Sequence, residues 1–322
     1  MSSYRNPWSI ILAAGDGNRL RSLTTANGVA VPKQFCSLDG GHSLLQEALL
    51  RAERISQPGR ICTIVAAQHR RWWSAPLAAL PAENITVQPE NRGTAVGVLL
   101  PLLRLELRDP SARVVLLPSD HHVRDEDSLA RTLRSAARHL AGDGDDVLLL
   151  GIEPDEPDPE LGYVVPASDG NGDVLGVDRF VEKPAPALAA TLVAQGAVWN
   201  SFIVAAQLPA LLHLYERRLP GLLAALRLAV RRDAVAGSDG AVTGIYGELP
   251  TLDFSRDVLE GQEAHLRVAT VPSCGWSDLG TPSRVAAALL RIGERRRLTP
   301  VARTAGAILD LAAQHALQQL AG

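Results

Sequence analysis

Four short stretches of this chain are apolar almost without interruption: SIILAA at 9–14, ICTIVAA at 61–67, RVVLLP at 113–118 and DVLLLGI at 146–152. A strand with one wet face alternates apolar and polar residues. These do not, so they read as strands covered on both faces, as in a parallel sheet sandwiched by helices. The intervening segments carry a helical spacing. SLLQEALLRAERI at 43–55 opens on Ser43 with Gln46 three residues later, the pattern of a capping box. SLARTLRSAARHL at 128–140 sets Leu129, Leu133, Ala137 and Leu140 on one face. This alternation predicts a doubly wound α/β architecture.

The pattern loosens downstream. GYVVP at 162–166 and DVLGVDRFVEKP at 173–184 read as strands split by the turn-rich ASDGNGD. Within 207–231, Leu219, Leu222, Leu223 and Leu226 line up as a helical face. We expect a mixed, mostly parallel central sheet in one body at 1–288. A helical segment follows at 289–322, interrupted near Pro300, with GERRR at 293–297 as a solvated joint. The stretch 302–320 has an amphipathic helical pattern that suits either packing back on the body or a homodimer contact.

Composition narrows the function. The 322 residues are 46% hydrophobic and 21% charged, with a net charge of −3. That excludes a general polyanion binder such as a nucleic-acid-coating protein, so any phosphate binding must be local. Cys36, Cys62 and Cys274 are odd in number and form no CxxC pair, which disfavours a disulfide framework and fits a reducing cytoplasm. The first apolar run is too short for a signal-peptide core or a membrane span.

Chemistry begins where the first strand ends, in IILAAGDGNRLRSL at 10–23. The loop is no Walker A motif, and it lacks the third glycine of GxGxxG. Glycines after a strand most often only make a turn. Gly15 and Gly17 would nevertheless let backbone N–H groups approach a ligand, and Arg19 and Lys33 could neutralise phosphate oxygens. Asp120 in LLPSDHH follows a buried strand, and Asp278 in CGWSDLG sits in a distant loop. Each alone suits a turn or a helix cap. Together they suit Mg²⁺, which takes a few protein oxygens and completes its shell with substrate phosphates and water. His121 and His122 lack further ligands at zinc spacing. Lys183 could hold a second phosphate, and Glu182 beside it could accept hydrogen bonds from sugar hydroxyls. Asn200 is a polar residue inside an apolar run and needs partners, and Glu260 alone reads as a surface helix residue.

In this order the motifs LAAGDGNRL, VPKQF, QPENRGTA, LPSDHHV, GYVVP, RFVEKP, VWNS, DFSRDVLE and GWSDLG resemble those of the sugar-1-phosphate nucleotidylyltransferases, above all the bacterial mannose-1-phosphate guanylyltransferase branch. The resemblance runs from about residue 8 to 288. It implies a Rossmann-like, GT-A-type fold, and guanylyl transfer from GTP to mannose 1-phosphate with Mg²⁺. Arg19 and Lys33 would hold the triphosphate, and Asp120 and Asp278 the metal. Ala13, Ala14, Gly15, Gly17, Asn18, Gln88, Arg92, Gly93 and Thr94 would surround the nucleotide. Gly162, Glu182, Asn200 and Glu260 would meet the sugar, and Lys183 its phosphate.

The chain departs from the family pattern at Asn18, Ser22, Gly93, Val96 and Phe202, the last standing where a glycine often follows Asn-Ser. Some relatives carry a fused cupin-like isomerase or a β-helix, and the length and helical tail lead us to expect neither. Three other readings stay open: the same chemistry on glucose or heptose phosphate with UTP, dTTP or ATP; a GT-A glycosyltransferase; and a non-catalytic sensor of GDP-mannose.

Overall fold

The computed structural model describes residues 6–17, 20–26, 29–140, 145–168 and 172–298, and of 26 and 294–298 the backbone alone. Arg19, Asn18 and the stretch 302–320 fall outside the described residues. The strands are β1 (Trp8–Ala13), β2 (Thr25–Ala26), β3 (Val29–Ala30), β4 (Ile61–Ala66), β5 (Ile85–Gln88), β6 (Arg113–Pro118), β7 (Val147–Ile152), β8 (Tyr163–Pro166), β9 (Leu175–Val181), β10 (Val198–Gln207) and β11 (Leu266–Val271). The α-helices are α1 (Leu44–Glu53), α2 (Arg70–Trp73), α3 (Gly93–Glu106), α4 (Glu126–His139), α5 (Pro186–Ala194), α6 (Leu208–Arg218), α7 (Pro220–Ala236), α8 (Gly240–Tyr246) and α9 (Pro282–Leu298).

Among the described residues, nine strands form one mixed sheet in the order β5-β4-β1-β6-β10-β7-β11-β9-β8, and β2 and β3 pair separately. The run β5-β4-β1-β6 is parallel, as is β7 with β11; β10 joins the two runs antiparallel to both β6 and β7. Successive residues of each strand face opposite layers. Ile10, Val114 and Leu116 pack with α3, α6, α7 and α8, while Ile11, Val115 and Leu117 pack with α1, α2, α4 and α5. Apolarity at every strand position is the consequence of this two-sided burial. Among the described residues, no helix is long and apolar enough to cross a membrane, and Cys36, Cys62 and Cys274 are free thiols.

Local signals account for several boundaries. Ser43 and Gln46 form the capping box of α1, with Gln46 Oε1 accepting from the Ser43 N–H at 2.9 Å. Helix α4 begins earlier than the apolar spacing implies, because Asp125 caps it through the Ser128 N–H. Its buried positions are Ser128, Leu129, Ala130, Leu133 and Ala136, while Ala137 is half-buried. Leu219 does not share a helical face with Leu222, Leu223 and Leu226. It is the junction between α6 and α7, where Pro220 starts a new helix at a position whose N–H is not needed. The expected joint at 293–297 is also revised, since α9 continues through it to Leu298. Helix α3 had no periodic signal: it is apolar nearly all round and contains Pro101, and the fold buries it.

Candidate active site

A cleft of about 780 Å³ opens at the carboxyl ends of the parallel strands, the edge where open α/β sheets bind ligands. Three loops form one side. Residues 14–17 leave β1, 89–92 leave β5 towards α3, and 119–122 leave β6. The other side comes from Gly162 ahead of β8, Glu182 and Lys183 after β9, the middle of β10, and the segment 251–257.

The glycine loop is held from below and from its flank. Gln34 Nε2 donates to the carbonyls of Ala13 at 3.1 Å and Gly15 at 2.7 Å. Asp16 accepts from Asn91 Nδ2 at 2.9 Å and Gln68 Nε2 at 3.3 Å, stitching this loop to the one after β5. Gly17 has φ +64, and a Cβ there would lie 2.8 Å from the Lys33 nitrogen. This glycine therefore serves a close backbone crossing that aligns Lys33.

Gly93 is under a similar constraint at the start of α3. Its φ is +80, and a Cβ would stand 2.1 Å from the Leu252 carbonyl oxygen. The backbone crossing is fixed by Ala95 N–H to Leu252 O at 3.0 Å and Leu252 N–H to Arg92 O at 3.1 Å. Thr94 Oγ1 accepts from the Phe254 N–H at 2.7 Å and donates to Asp253 Oδ2 at 3.3 Å. The nucleotide-side loop and the segment 251–257 are thus one unit. Gln88, buried at the end of β5, accepts from the Tyr246 hydroxyl at 3.0 Å and lines the cleft.

Asp120 and Asp278 are distant in sequence but adjacent in space, because their loops pair. His122 and Ser277 exchange two backbone hydrogen bonds, both 2.9 Å. The Lys33 ammonium spans the pair, 3.0 Å from Asp120 Oδ2 and 2.5 Å from the Asp278 carbonyl oxygen. The Asp278 carboxylate accepts from the Gly280 N–H at 3.1 Å and contacts the Arg284 guanidinium, which reaches Asp158 on its other side at 3.2 Å. A Cβ at Gly280 would be 2.3 Å from Asp278 Oδ2, so this position must be glycine for the carboxylate to stay.

Electrostatics follow from this packing. Burial pushes the Asp120 carboxyl up, but Lys33 and His121 outweigh it and hold the group below its usual range. Burial drives His121 down to about 4, with Lys33 adding to the drop against the opposing pull of Asp120. His121 is therefore neutral near pH 7. Its Nδ1 accepts from the Trp276 indole N–H at 3.3 Å, which leaves Nε2 carrying the proton towards Asp120, 3.7 Å away.

At the far end, a Cβ at Gly162 would meet Glu182 Oε2 at 2.5 Å, so this glycine makes room for the Glu182 carboxylate. Burial and the neighbouring Asp253 raise the Glu182 carboxyl, and Lys183, 3.5 Å away, offsets part of that. Asn200 is buried; its Nδ2 donates to Ser255 Oγ at 3.3 Å and its Oδ1 accepts from the Phe202 N–H at 3.1 Å.

Most expected site residues meet here. Ala14, Gly15, Gln88, Gly93, Thr94, Asp120, Gly162, Glu182, Lys183, Asn200 and Asp278 line the cleft. Ala13, Gly17 and Lys33 stand immediately behind it. Among the described residues, two are outside its lining. The Arg92 guanidinium is turned away to Glu90 and the Gly247 carbonyl oxygen. Glu260 follows the π-helical turn Ser255–Leu259, and that wide turn presents Asp253, Ser255, Arg256 and Asp257 to the cleft instead. Gln34, Asn91, His121, Phe202 and Trp276 also line it. The polar residues of 251–257 have no periodicity to mark them; DFSRDVLE enters as a family motif, in which the resemblance gives a role to Glu260 alone.

Among the described residues, no group of three or more His, Cys, Asp or Glu could hold a metal. Two carboxylates at the head of an open cleft do not make a closed zinc site. They fit a hard divalent cation that takes the rest of its shell from substrate oxygens and water.

A family model described as nucleotidyl transferase matches residues 8–295. The alginate biosynthesis protein AlgA of Pseudomonas putida is 30% identical over 283 residues, covering 84% of this chain and 56% of that protein. A mannose-1-phosphate guanylyltransferase of Sinorhizobium fredii is 28% identical over 280 residues, covering 84% of this chain and 52% of that one. The chain thus spans about half the length of the curated relatives it matches. The crystal structure of mannose-1-phosphate geranyltransferase from Thermus thermophilus superposes with a TM-score of 0.74 at 27% identity, over 87% of this chain and 78% of that one. With a family match across nearly all of its described residues, the chain belongs to the nucleotidyl transferase family.

Proposed function

We propose that this chain transfers the guanylyl group of GTP to mannose 1-phosphate, yielding GDP-mannose and pyrophosphate. The observation that carries the reading is the Lys33 ammonium set between Asp120 and Asp278 at the head of a cleft with a glycine loop on one side and hydroxyl-binding groups on the other. The relatives' names supply the choice of base and sugar.

In this reading a phosphate oxygen of mannose 1-phosphate attacks the α-phosphorus of GTP. The bond from that phosphorus to the bridging oxygen breaks, and pyrophosphate leaves with the electron pair. The attacking oxygen is already anionic near neutral pH, so no general base is required. That agrees with the surroundings of His121, the histidine on the cleft lining, which accepts from Trp276 and faces Asp120. The chemistry is then positioning and charge stabilisation between two polyanions. Lys33, Lys183 and Arg19 offset their repulsion, Arg19 by the family resemblance alone. Asp120 and Asp278 would hold Mg²⁺, which supplies Lewis-acid stabilisation of phosphoryl oxygens. Gly15, with open space beside it, gives the nucleotide close backbone approach, and the Gly93 crossing holds the start of α3 next to it. Glu182 and Asn200 accept and donate hydrogen bonds to the sugar hydroxyls.

The reverse reaction tests this cleanly. GDP-mannose with pyrophosphate and Mg²⁺ should yield GTP and mannose 1-phosphate, detected by chromatography. GTP formed from GDP-mannose but no UTP from UDP-glucose supports the assignment, and the opposite preference rejects it.

A further inference from the structure

Lys183 at φ 47, Phe202 at φ 59 and Leu279 at φ 49 are the non-glycine residues with left-handed backbone among the described residues. Lys183 and Phe202 line the cleft, and Leu279 follows Asp278. Left-handed backbone is an outlier for a bulky side chain, and such strain persists where surroundings over-determine it, commonly at ligand sites.

Phe202 is the most pointed of the three. It sits in a bulge of β10, where the pairing with β7 shifts register between Asn200 and Val204. Side-chain bonds hold the bulge open. Ser201 Oγ donates to the Leu150 carbonyl at 2.6 Å and accepts from the Ile203 N–H at 3.2 Å, and the Phe202 N–H is taken by Asn200 Oδ1 at 3.1 Å. A glycine would satisfy this backbone without strain, so the local conformation does not call for phenylalanine. The ring is half-buried on the cleft wall, 5.7 Å from Phe254 at a tilt of 56°. Its neighbour Asn200 belongs to the sugar-phosphate end, while Phe254 also touches the nucleotide-side loop through Thr94, so Phe202 stands where the two ends of the cleft meet. Asn200 bonds its amide, and Asn200 in turn bonds Ser255 beside Phe254 and Asp253.

We infer that the Phe202 ring is the platform on which the pyranose of the sugar phosphate lies, making Phe202 a specificity-determining residue for the sugar. A pyranose offers an apolar C–H face and a rim of hydroxyls. A flat ring flanked by Glu182, Asn200 and Asp253 meets both, the ring against the face and the polar groups against the rim. The inference rests on the sugar-phosphate end assigned under the proposed function.

The test compares Phe202→Tyr, Phe202→Leu and Phe202→Gly by steady-state kinetics in both substrates, each variant first shown to be folded by its thermal transition. We expect the KM for sugar 1-phosphate to rise about tenfold in the Leu and Gly variants, with the nucleotide KM within about twofold of wild type. The Tyr variant, which keeps the flat ring, should restore the wild-type value. Unmoved sugar-phosphate KM in the Leu and Gly variants overturns the inference, as does a shift confined to the nucleotide KM or a Tyr variant that behaves like Leu. Wild-type enzyme without turnover on any sugar 1-phosphate would overturn the parent reading as well; active wild type with unmoved variants overturns this inference alone.

Discussion

Lys33 Nζ lies 3.0 Å from Asp120 Oδ2 and 2.5 Å from the Asp278 carbonyl oxygen, so one buried cation ties together the two loops that carry the acids. Replacing Lys33 with Met keeps much of its bulk and removes the charge. Loss of a preorganised electrostatic donor costs about 10²–10³ in rate, and we expect kcat to fall by at least that. Turnover within threefold of wild type, in a variant with an unchanged circular dichroism spectrum, would remove Lys33 from the catalytic account.

Gly93→Ala tests the crossing at the start of α3. The new methyl would stand 2.1 Å from the Leu252 carbonyl oxygen at a backbone φ of +80. Either the crossing opens or α3 shifts. We expect a loss of about 1–3 kcal/mol in urea unfolding, together with weaker nucleotide binding by calorimetry. A variant as stable as wild type that still binds GTP normally would show that the crossing is not needed.

Glu182 gives a pH dependence with a definite sign. Burial and Asp253 raise its carboxyl, so the folded state binds this proton at a higher pH than the unfolded chain does. Its contribution to stability is therefore most favourable below the unfolded value near 4.5, and it is lost as pH rises through the folded one. Glu182→Gln should be more thermostable than wild type at pH 7, with the advantage shrinking as pH falls towards 4.5. Melting curves at several pH values decide this, and a glutamine variant that is less stable at pH 7 contradicts it.

Glu260 offers a contrast with the residues that reach the cleft. It follows the π-helical turn and is absent from the lining, so Glu260→Ala should leave both KM values within about twofold of wild type, as expected of a residue that contacts neither substrate. A fivefold rise in the sugar-phosphate KM would restore it to the sugar site.

Strands β1, β4, β6 and β7 were legible because burial on both faces demands apolarity at every position, a signal that survives without context. Helix α3 was not, because the same all-round burial erases helical periodicity, and Pro101 reads as a breaker. The acids Asp120 and Asp278 stood out through their motifs. Their adjacency depends on the His122–Ser277 pairing, a tertiary event that no local pattern encodes. Glu260 stands outside the cleft lining for a related reason: a π-turn changes which residues of DFSRDVLE face inward, and α-helical spacing does not anticipate it. Phe202 was visible as a departure from the family pattern, while its left-handed backbone and its ring on the cleft wall became apparent only in three dimensions.

The central claim is guanylyl transfer to mannose 1-phosphate, and pyrophosphate release across a grid of nucleotides and sugar 1-phosphates tests it most directly. With Mg²⁺ present, the account predicts a dominant signal for GTP paired with mannose 1-phosphate, abolished by omitting the metal and reduced about a hundredfold or more by Asp278→Ala. A stronger signal for another pair, or turnover untouched by the loss of Asp278, would contradict it.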